Sequence, residues 1–522
     1  MDYCVRTEEA TGEGEMAEKS IIIIGAGLAG LSTGCYAQMN GYRSHIFEHH
    51  TKPGGVAAAW KRKRYLIDGG IHFLMGHRPG QPIHDLYREL GTARSDCCTD
   101  LIGFHFIDEA SGVAIDITGD LDRLANDLKG IAPDDTKVID NLIGSAHAIQ
   151  NGITSFEASF AKPPELMNYI DYLKMFWGTG RAIGMRRVPK AFMGFYTKSM
   201  SEYVQDVRSP LLRQILMNAF MPEVPVWFVL MLFALLRDRQ IGLLNEGCPG
   251  FVQPIEEIYK SVGGEVTYKA IVTEILVENN QAIGVRLADG NEHRADVVVS
   301  AADGYSTTYT MLRGRYIDKK IEERYQSWPL IRPYVIVSFG VAREFPDELP
   351  ENFIMLKEPI PVGRQVIREL ILRIFNYGSK FAPSGKTVIQ ATFETEWDFW
   401  NNLQNERSRY DEEKQRIAGD ILSRLEAHYP GISSLVEVTD VATPYTTWRY
   451  TRNHQGAYMG WLPTPKNIMT FIPRTLPGLA NFYMAGQWVM PGGGVPTCLY
   501  SGRHVVQILC HRDRKRFVTS TT

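Results

Sequence analysis

Four consecutive isoleucines, Ile21 to Ile24, run straight into a glycine turn, and this junction constrains the chain more than any other feature. A continuously apolar, β-branched run suits a strand covered on both faces of a parallel sheet. The turn holds Gly25, Ala26, Gly27 and Gly30, and Leu28 to Gln38 has helical composition. In a strand–turn–helix unit of this kind Gly25 permits the bend, Gly27 lets the backbone approach a pyrophosphate, and Gly30 lets the helix pack closely on the strand. The helix N-terminus then presents free N–H groups and the positive end of its dipole to phosphate. Arg43 to Phe47 reads as a second strand, and Glu48 at its end can accept hydrogen bonds from an adenosine ribose while disfavouring a 2′-phosphate. The motif leaves open which dinucleotide is bound.

At 522 residues the chain exceeds one core, since domains run to roughly 150 residues. The 56 basic and 59 acidic residues nearly cancel, which leaves no field to gather nucleic acid. The short basic runs Lys61 to Arg64 and Arg512 to Arg516 read as solvated surface, the second with the option of touching an anionic membrane peripherally. Cys4, Cys35, Cys97, Cys98, Cys248, Cys498 and Cys510 show no C-x-x-C spacing, so neither a disulfide framework nor a metal site is expected, and a cytoplasmic, reducing location fits. Residues 1–19 are polar without an apolar leader core and are expected to form a flexible tail. The most apolar stretch, Val224 to Leu236, is shorter than the roughly 20 residues a membrane span needs. It reads as a buried helix, as the wall of an apolar tunnel, or as a helix dipping into one leaflet.

Further along, a strand at 64–67 leads into Asp68, Gly69, Gly70, Ile71 and His72, and Gly54 and Gly55 mark another turn. Such turns belong at the carboxyl edge of an open sheet, where ligands bind. Helical patterns dominate 81–244, including Leu121 to Lys129 and Thr136 to Asn151. Strand patterns return at 264–269, 271–278, 282–287 and 295–302, then at 334–341, 387–394 and 468–471, with a charged helix over 410–428. A strand at 481–485, a glycine loop at 491–496 and a helix from about 497 to 510 close the chain. The expected class is α/β. A discontinuous Rossmann-like domain comprises 20–80, 245–310 and 480–515, with a helical insertion at 81–244 and a β-rich substrate domain at 311–479.

In this order the segments resemble the flavin-dependent amine oxidase superfamily, and within it the phytoene desaturase-like branch with carotenoid isomerases and retinol saturase. The resemblance rests on Gly25 to Gly30 with Glu48, on Gly54 and Gly55, and on Ile67 to His72. It rests further on Val272 with Ile275, on Val298 to Asp303, on Thr443 to Gly460, and on Gly486 to Arg503. It implies a stretched FAD: Gly25, Ala26, Gly27 and Gly30 at the pyrophosphate, Glu48 at the ribose, the Val272 backbone at adenine. Asp68, Gly69, Gly70 and Ile71 would run beside the flavin, and Gly486, Gly493, Gly494 and Val495 would close over it. The branch often carries a basic residue where this chain has Val56, so a phosphate contact is either missing or supplied by Lys61 or Arg62.

His72 is the candidate for moving a proton, or else a residue that fixes its loop. Cys498, expected to begin the last helix, offers a dipole-stabilised thiolate. Trp227, Phe228, Met231 and Phe233, apolar residues between Met167 and Trp177, and Trp60, Arg449 and Tyr450 are the expected substrate-lining set. The implied activity is FAD-dependent desaturation, saturation or isomerisation of an apolar polyene, isoprenoid or lipid, with oxygen, a quinone or another electron acceptor. Two alternatives stand beside it. One is an amine or amino-acid oxidase, although no lysine stands out for the flavin. The other is a non-catalytic binder of prenylated partners, like Rab escort proteins, although both glycine loops and Glu48 are intact.

Overall fold

The isoleucine run is the centre of a five-stranded parallel sheet. In the computed structural model, which describes residues 18–149, 162–171 and 194–520, strand β1 (Ser20–Ile24) lies between β2 (Arg43–Glu48) and a later strand. Beyond β2 sits β3 (Glu265–Tyr268); on the other side come β4 (Val297–Ser300) and Phe482–Met484. Ile21 and Ile23 enter one core and Ile22 and Ile24 another, so the strand is apolar on both faces and shows no alternation. Helix α1 (Leu28–Met39) follows directly. The stretch expected as a third sheet strand is instead half of a hairpin, Ala59–Arg62 against Tyr65–Asp68. Lys61 to Arg64 are too polar for a strand covered on both faces.

A seven-stranded sheet forms the other half. Its central strands are β5 (Tyr334–Val341), β6 (Glu351–Val362), β7 (Gln365–Ile374) and β8 (Thr387–Glu394), in the order β5, β8, β7, β6. Val436–Ala442 flanks β5, and Gly103–Asp108 with Val113–Thr118 flanks β6. The 81–244 stretch, expected to be helical, thus contributes a hairpin as well. Val335, Val337 and Phe339 pack beneath the helix Arg407–His428. The opposite face, carrying Tyr334, Ile336 and Ser338, turns toward the 68–72 loop, with Gln390 bridging Ser338 Oγ and the Asp68 carbonyl, while α2 (Pro210–Asn218) and α3 (Val226–Arg237) share a separate core.

Helix α3 contains most of the apolar 224–236 stretch and is buried nearly all round, as a core helix should be. Among the described residues no helix is long and apolar enough to cross a membrane. The Thr136 helix ends at Ala148. The strand expected at 468–471 is a turn: Asn467 accepts the Thr464 amide at 2.8 Å, and Met469 and Phe471 point outward, 70% and 46% exposed. Its flanking prolines, Pro465 and Pro473, withhold the donors a ladder needs. Of the expected N-terminal tail, residues 1–17 lie outside the described residues.

Helix α4 (Gly247–Ser261) and the closing helix α5 (Gly494–Arg512) complete the half built on the five-stranded sheet. Helices α1 and α5 are in backbone contact. A Cβ on Gly502 would lie 2.6 Å from the Ala29 carbonyl oxygen and 2.7 Å from the Thr33 nitrogen, and Ser32 Oγ donates to the Leu499 carbonyl at 2.7 Å. Gly502→Ala is therefore expected to lower stability by about 1–3 kcal/mol through overpacking, read as a drop in thermal midpoint. An unchanged midpoint would refute this close-packing account.

Candidate active site

A single cavity of about 830 Å³ joins the two glycine loops, within the range of about 300–1,000 Å³ typical of ligand pockets. Gly25 and Gly27 line it from the opening loop, Gly54 and Gly55 from the next, and Gly486, Gly493, Gly494 and Val495 from the closing loop. Glu48 and Val272 also belong to its wall. The loops are tied together, because the Gly54 amide donates to the Ala26 carbonyl at 2.9 Å. Glu48 Oε2 accepts the Ala26 amide at 2.6 Å and Oε1 the His50 amide at 2.7 Å. Each oxygen has two acceptor sites, so capacity remains on the side facing the cavity.

Ala26 and Gly30 do not line the cavity. Ala26 is fully buried and anchors Glu48, while Gly30 sits so close to the strand that a Cβ would lie 1.9 Å from the Gly25 carbonyl oxygen. Gly493 has φ +53° and ψ −149°, and a Cβ there would press on Met459 at 2.9 Å.

The loop at 68–72 divides in two. Gly70, Ile71 and His72 line the cavity, whereas Asp68 and Gly69 stand behind it. Asp68 accepts the Cys248 amide at 2.6 Å and its thiol at 2.9 Å, and Cys248 Sγ in turn accepts the Ile71 amide at 3.0 Å. Gly69 lies against Trp60, which a Cβ would meet at 2.7 Å.

Further back, Arg373 and Glu351 form an ion pair at 2.9 Å, with side chains only 2% and 4% exposed. Arg373 also donates to the His72 carbonyl at 3.2 Å, and Glu351 lines the cavity. Burial, with Arg373 adding to it, pushes the His72 imidazole down to about 3. The ring is therefore neutral in ordinary buffers. Sequence reasoning missed this pair, because the two residues are 22 positions apart and meet only across paired strands.

Trp227, Phe228 and Met231 line the cavity, so α3 is at once a core helix and a tunnel wall. Met167 lines it too, while residues 172–177 lie outside the described residues. Trp60 and Arg449 do not line it. Trp60 donates to Asp440 at 2.9 Å, and the Arg449 carbonyl bonds His49. Tyr450 does line it, its ring 5.2 Å from that of His50. Arg62 pairs with Asp440, and neither it nor Lys61 lines the cavity. Cys498 is in the second turn of α5 rather than at its start, and burial pushes its thiol up to about 12. Lys162 is the lysine among the described lining residues, and Asp171 holds it. Among the described residues there is no cluster of metal-ligating side chains.

Residues 28–510 match the family described as flavin containing amine oxidoreductase. The chain belongs to this family. Prolycopene isomerase from Daucus carota is 24% identical, the match covering 96% of this chain and 82% of that protein. The lycopene-forming phytoene desaturase of a Paracoccus species is 22% identical, with 94% and 97% covered. Among solved structures, an oxidoreductase from Methanosarcina mazei superposes with TM-score 0.57 at 16% identity, over 94% of this chain and all of that one. A putrescine oxidase variant gives 0.58 at 14%, over 95% and 99%. This flavin amine oxidoreductase is an FAD-dependent enzyme. The cavity accommodates the cofactor: a Cβ placed on Gly27 would meet nothing within 4 Å, which leaves the N-terminus of α1 open to an anion.

Two outcomes follow for the site. Glu48→Ala frees the buried Ala26 amide and is expected to weaken FAD retention roughly ten- to a hundredfold, measured by flavin absorbance after dialysis. For His72 the folded value lies below the unfolded one, so its contribution to stability is present above pH 6.5 and is lost as pH falls toward 3. Wild-type protein should thus lose stability relative to His72→Gln as the pH is lowered from 7 to 4 in denaturant titrations. A constant difference would overturn the neutral-imidazole assignment.

Proposed function

We propose that the enzyme rearranges, introduces or removes carbon–carbon double bonds in an elongated apolar polyene or isoprenoid-like molecule. The observation that carries this reading is the apolar extension of the cavity beyond Gly70, Ile71 and His72, walled by Phe73, Phe104, Phe220, Trp227, Phe228 and Phe353. Such a wall binds by removing apolar surface from water and offers few polar groups to orient a hydrophilic substrate. The names of the relatives, prolycopene isomerase and phytoene desaturase, support it.

In this reading the Gly25–Gly27 turn and the Gly54–Gly55 turn take the diphosphate, with the α1 N-terminus behind it. Glu48 takes the adenosine ribose, and the backbone at Val272 takes adenine. Gly486, Gly493, Gly494 and Val495 close over the flavin, where the α5 N-terminus favours negative charge. Bound FAD supplies hydride and electron transfer. The chain's own residues bind, orient and exclude water. A His72 ring held near 3 is a poor proton acceptor at neutral pH, which favours a positioning role for it. Arg373 grips the same loop through the His72 carbonyl.

Docking to a membrane surface from the cytoplasm belongs to the same proposal. Tyr169, Ile170, Met469 and Phe471 are exposed, and Met469 and Phe471 also line the cavity, so an apolar rim surrounds part of its mouth. Replacing Met469 and Phe471 with serine is expected to reduce cosedimentation with phospholipid vesicles several-fold without loss of bound flavin. Equal sedimentation of the variant would overturn the docking.

The reaction itself is tested by anaerobic photoreduction followed by mixing with polyenes of different length and geometry. Reoxidation of the flavin would indicate saturation, bleaching of oxidised flavin by a polyene would indicate desaturation, and a changed polyene with no net flavin change would indicate isomerisation. Bleaching by amines, with none of these responses to any polyene, would sink the reading.

A further inference from the structure

Cys97 and Cys98 are neighbours in sequence, and their sulfurs lie 3.2 Å apart. Successive side chains of a regular strand point to opposite faces, so adjacent cysteines within a ladder hold their thiols apart. Here the strand Cys98–Asp100 begins only at the second cysteine. Cys97 belongs to the turn before it, where its amide donates to the Arg94 carbonyl at 3.2 Å, and the two thiols converge. Cys98–Asp100 is also an edge strand, paired on one side only, with Ile241–Leu244. Arg94, Ser95, Asp96 and Thr99 around the pair are exposed, and Cys98 is itself partly exposed.

The two thiols are unequal. With Cys98 donating, the bond between them holds the Cys97 thiol below the usual cysteine value, and Arg94 adds to this. The same bond, with burial, pushes Cys98 up. One sulfur is thereby suited to attack and the other to resolve. The other cysteines among the described residues lack this arrangement: burial pushes the thiols of Cys35, Cys248, Cys498 and Cys510 up.

We propose that Cys97 and Cys98 form an oxidation site at which hydrogen peroxide closes a reversible disulfide between the two adjacent residues. The Cys97 thiolate attacks one peroxide oxygen, the O–O bond breaks, and the departing hydroxide takes up the proton that Cys97 had released. The Cys98 sulfur then attacks the sulfenic sulfur on Cys97; the S–S bond forms, the S–O bond breaks, and the oxygen leaves as water with the Cys98 proton. Two thiols and one peroxide give one disulfide and two waters. Cα atoms across a trans peptide are about 3.8 Å apart, closer than the roughly 4.4–6.8 Å of ordinary disulfides, so this ring is strained and easily reduced. It is a transient modification rather than a framework bond. Its effect reaches toward the cavity, because the Cys97 carbonyl accepts the Asn245 amide at 2.9 Å, and Asn245 precedes α4, whose Cys248 bonds Asp68 and Ile71.

The test is peptide mapping of the FAD-loaded enzyme after exposure to hydrogen peroxide, followed by denaturation, alkylation with iodoacetamide and cutting with trypsin. Residues 95–123 form one peptide that holds Cys97 and Cys98 and no other cysteine. After oxidation this peptide is expected to lack both alkyl groups and to be lighter by two hydrogens, and dithiothreitol should restore its alkylation. It should oxidise roughly tenfold faster than peptides carrying the buried cysteines. In Cys98→Ser the resolving thiol is gone, so dimedone should label Cys97. With no oxidant present, phenylarsine oxide, which needs two sulfurs within reach, should protect both residues from alkylation in the native enzyme. Full alkylation of the peptide after peroxide, oxidation to sulfinic acid with no disulfide stage, or a disulfide from either residue to another cysteine would overturn the site. So would an unlabelled Cys97 in the folded variant, or no protection by the arsenical. Should the variant fail to fold, the wild-type map alone decides.

Discussion

The spacing of the glycine loops depends on two helices approaching until their backbones touch. Gly502 lies against Ala29 and Thr33, and Gly30 lies against Gly25, so α1 is clamped between the strand that precedes it and the helix that closes the fold. Any side chain at these positions would widen the gap between the opening and closing loops. Both loops line one cavity because this spacing is set by backbone contact, and the bond from the Gly486 amide to Ser501 Oγ at 2.6 Å fixes the closing turn on its own helix.

A second constraint stands behind the apolar end of the cavity. The loop carrying His72 has no regular structure to hold it, and its bonds run to a buried network: Asp68 to Cys248, the Asp68 carbonyl to Gln390, the His72 carbonyl to Arg373, and Arg373 to Glu351. A buried charge pair of this kind contributes little net stability, but losing one member leaves the other desolvated and unpaired. Its value here is geometric, since it fastens a strand of the seven-stranded sheet to a turn that lines the cavity.

The parts readable from sequence were those where local chemistry decides structure. The β1–α1 junction, Glu48, the glycines of the closing loop and the apolar 224–236 helix all declare themselves through residue type and spacing. Hidden were the features created by pairing between distant segments. Lys61 to Arg64 lie in a hairpin rather than the main sheet because a strand covered on both faces has no room for them. Arg373 and Gln390 meet only because β7 and β8 align in one register. Trp60, expected to line the substrate cavity, instead donates its indole N–H to Asp440 from a strand far along the chain. Arg373 and Glu351 were invisible for the same reason, being 22 positions apart and joined only across a sheet.

The central sheet is stitched from segments made early, midway and late, with Phe482–Met484 as its last strand and α5 behind it. A growing polypeptide therefore presents the opening turn long before the closing turn exists to face it. Closure of the cavity between the two glycine loops is thus a property of the finished molecule. Until then β4 has an open edge, a row of unpaired backbone groups that only the last strand covers.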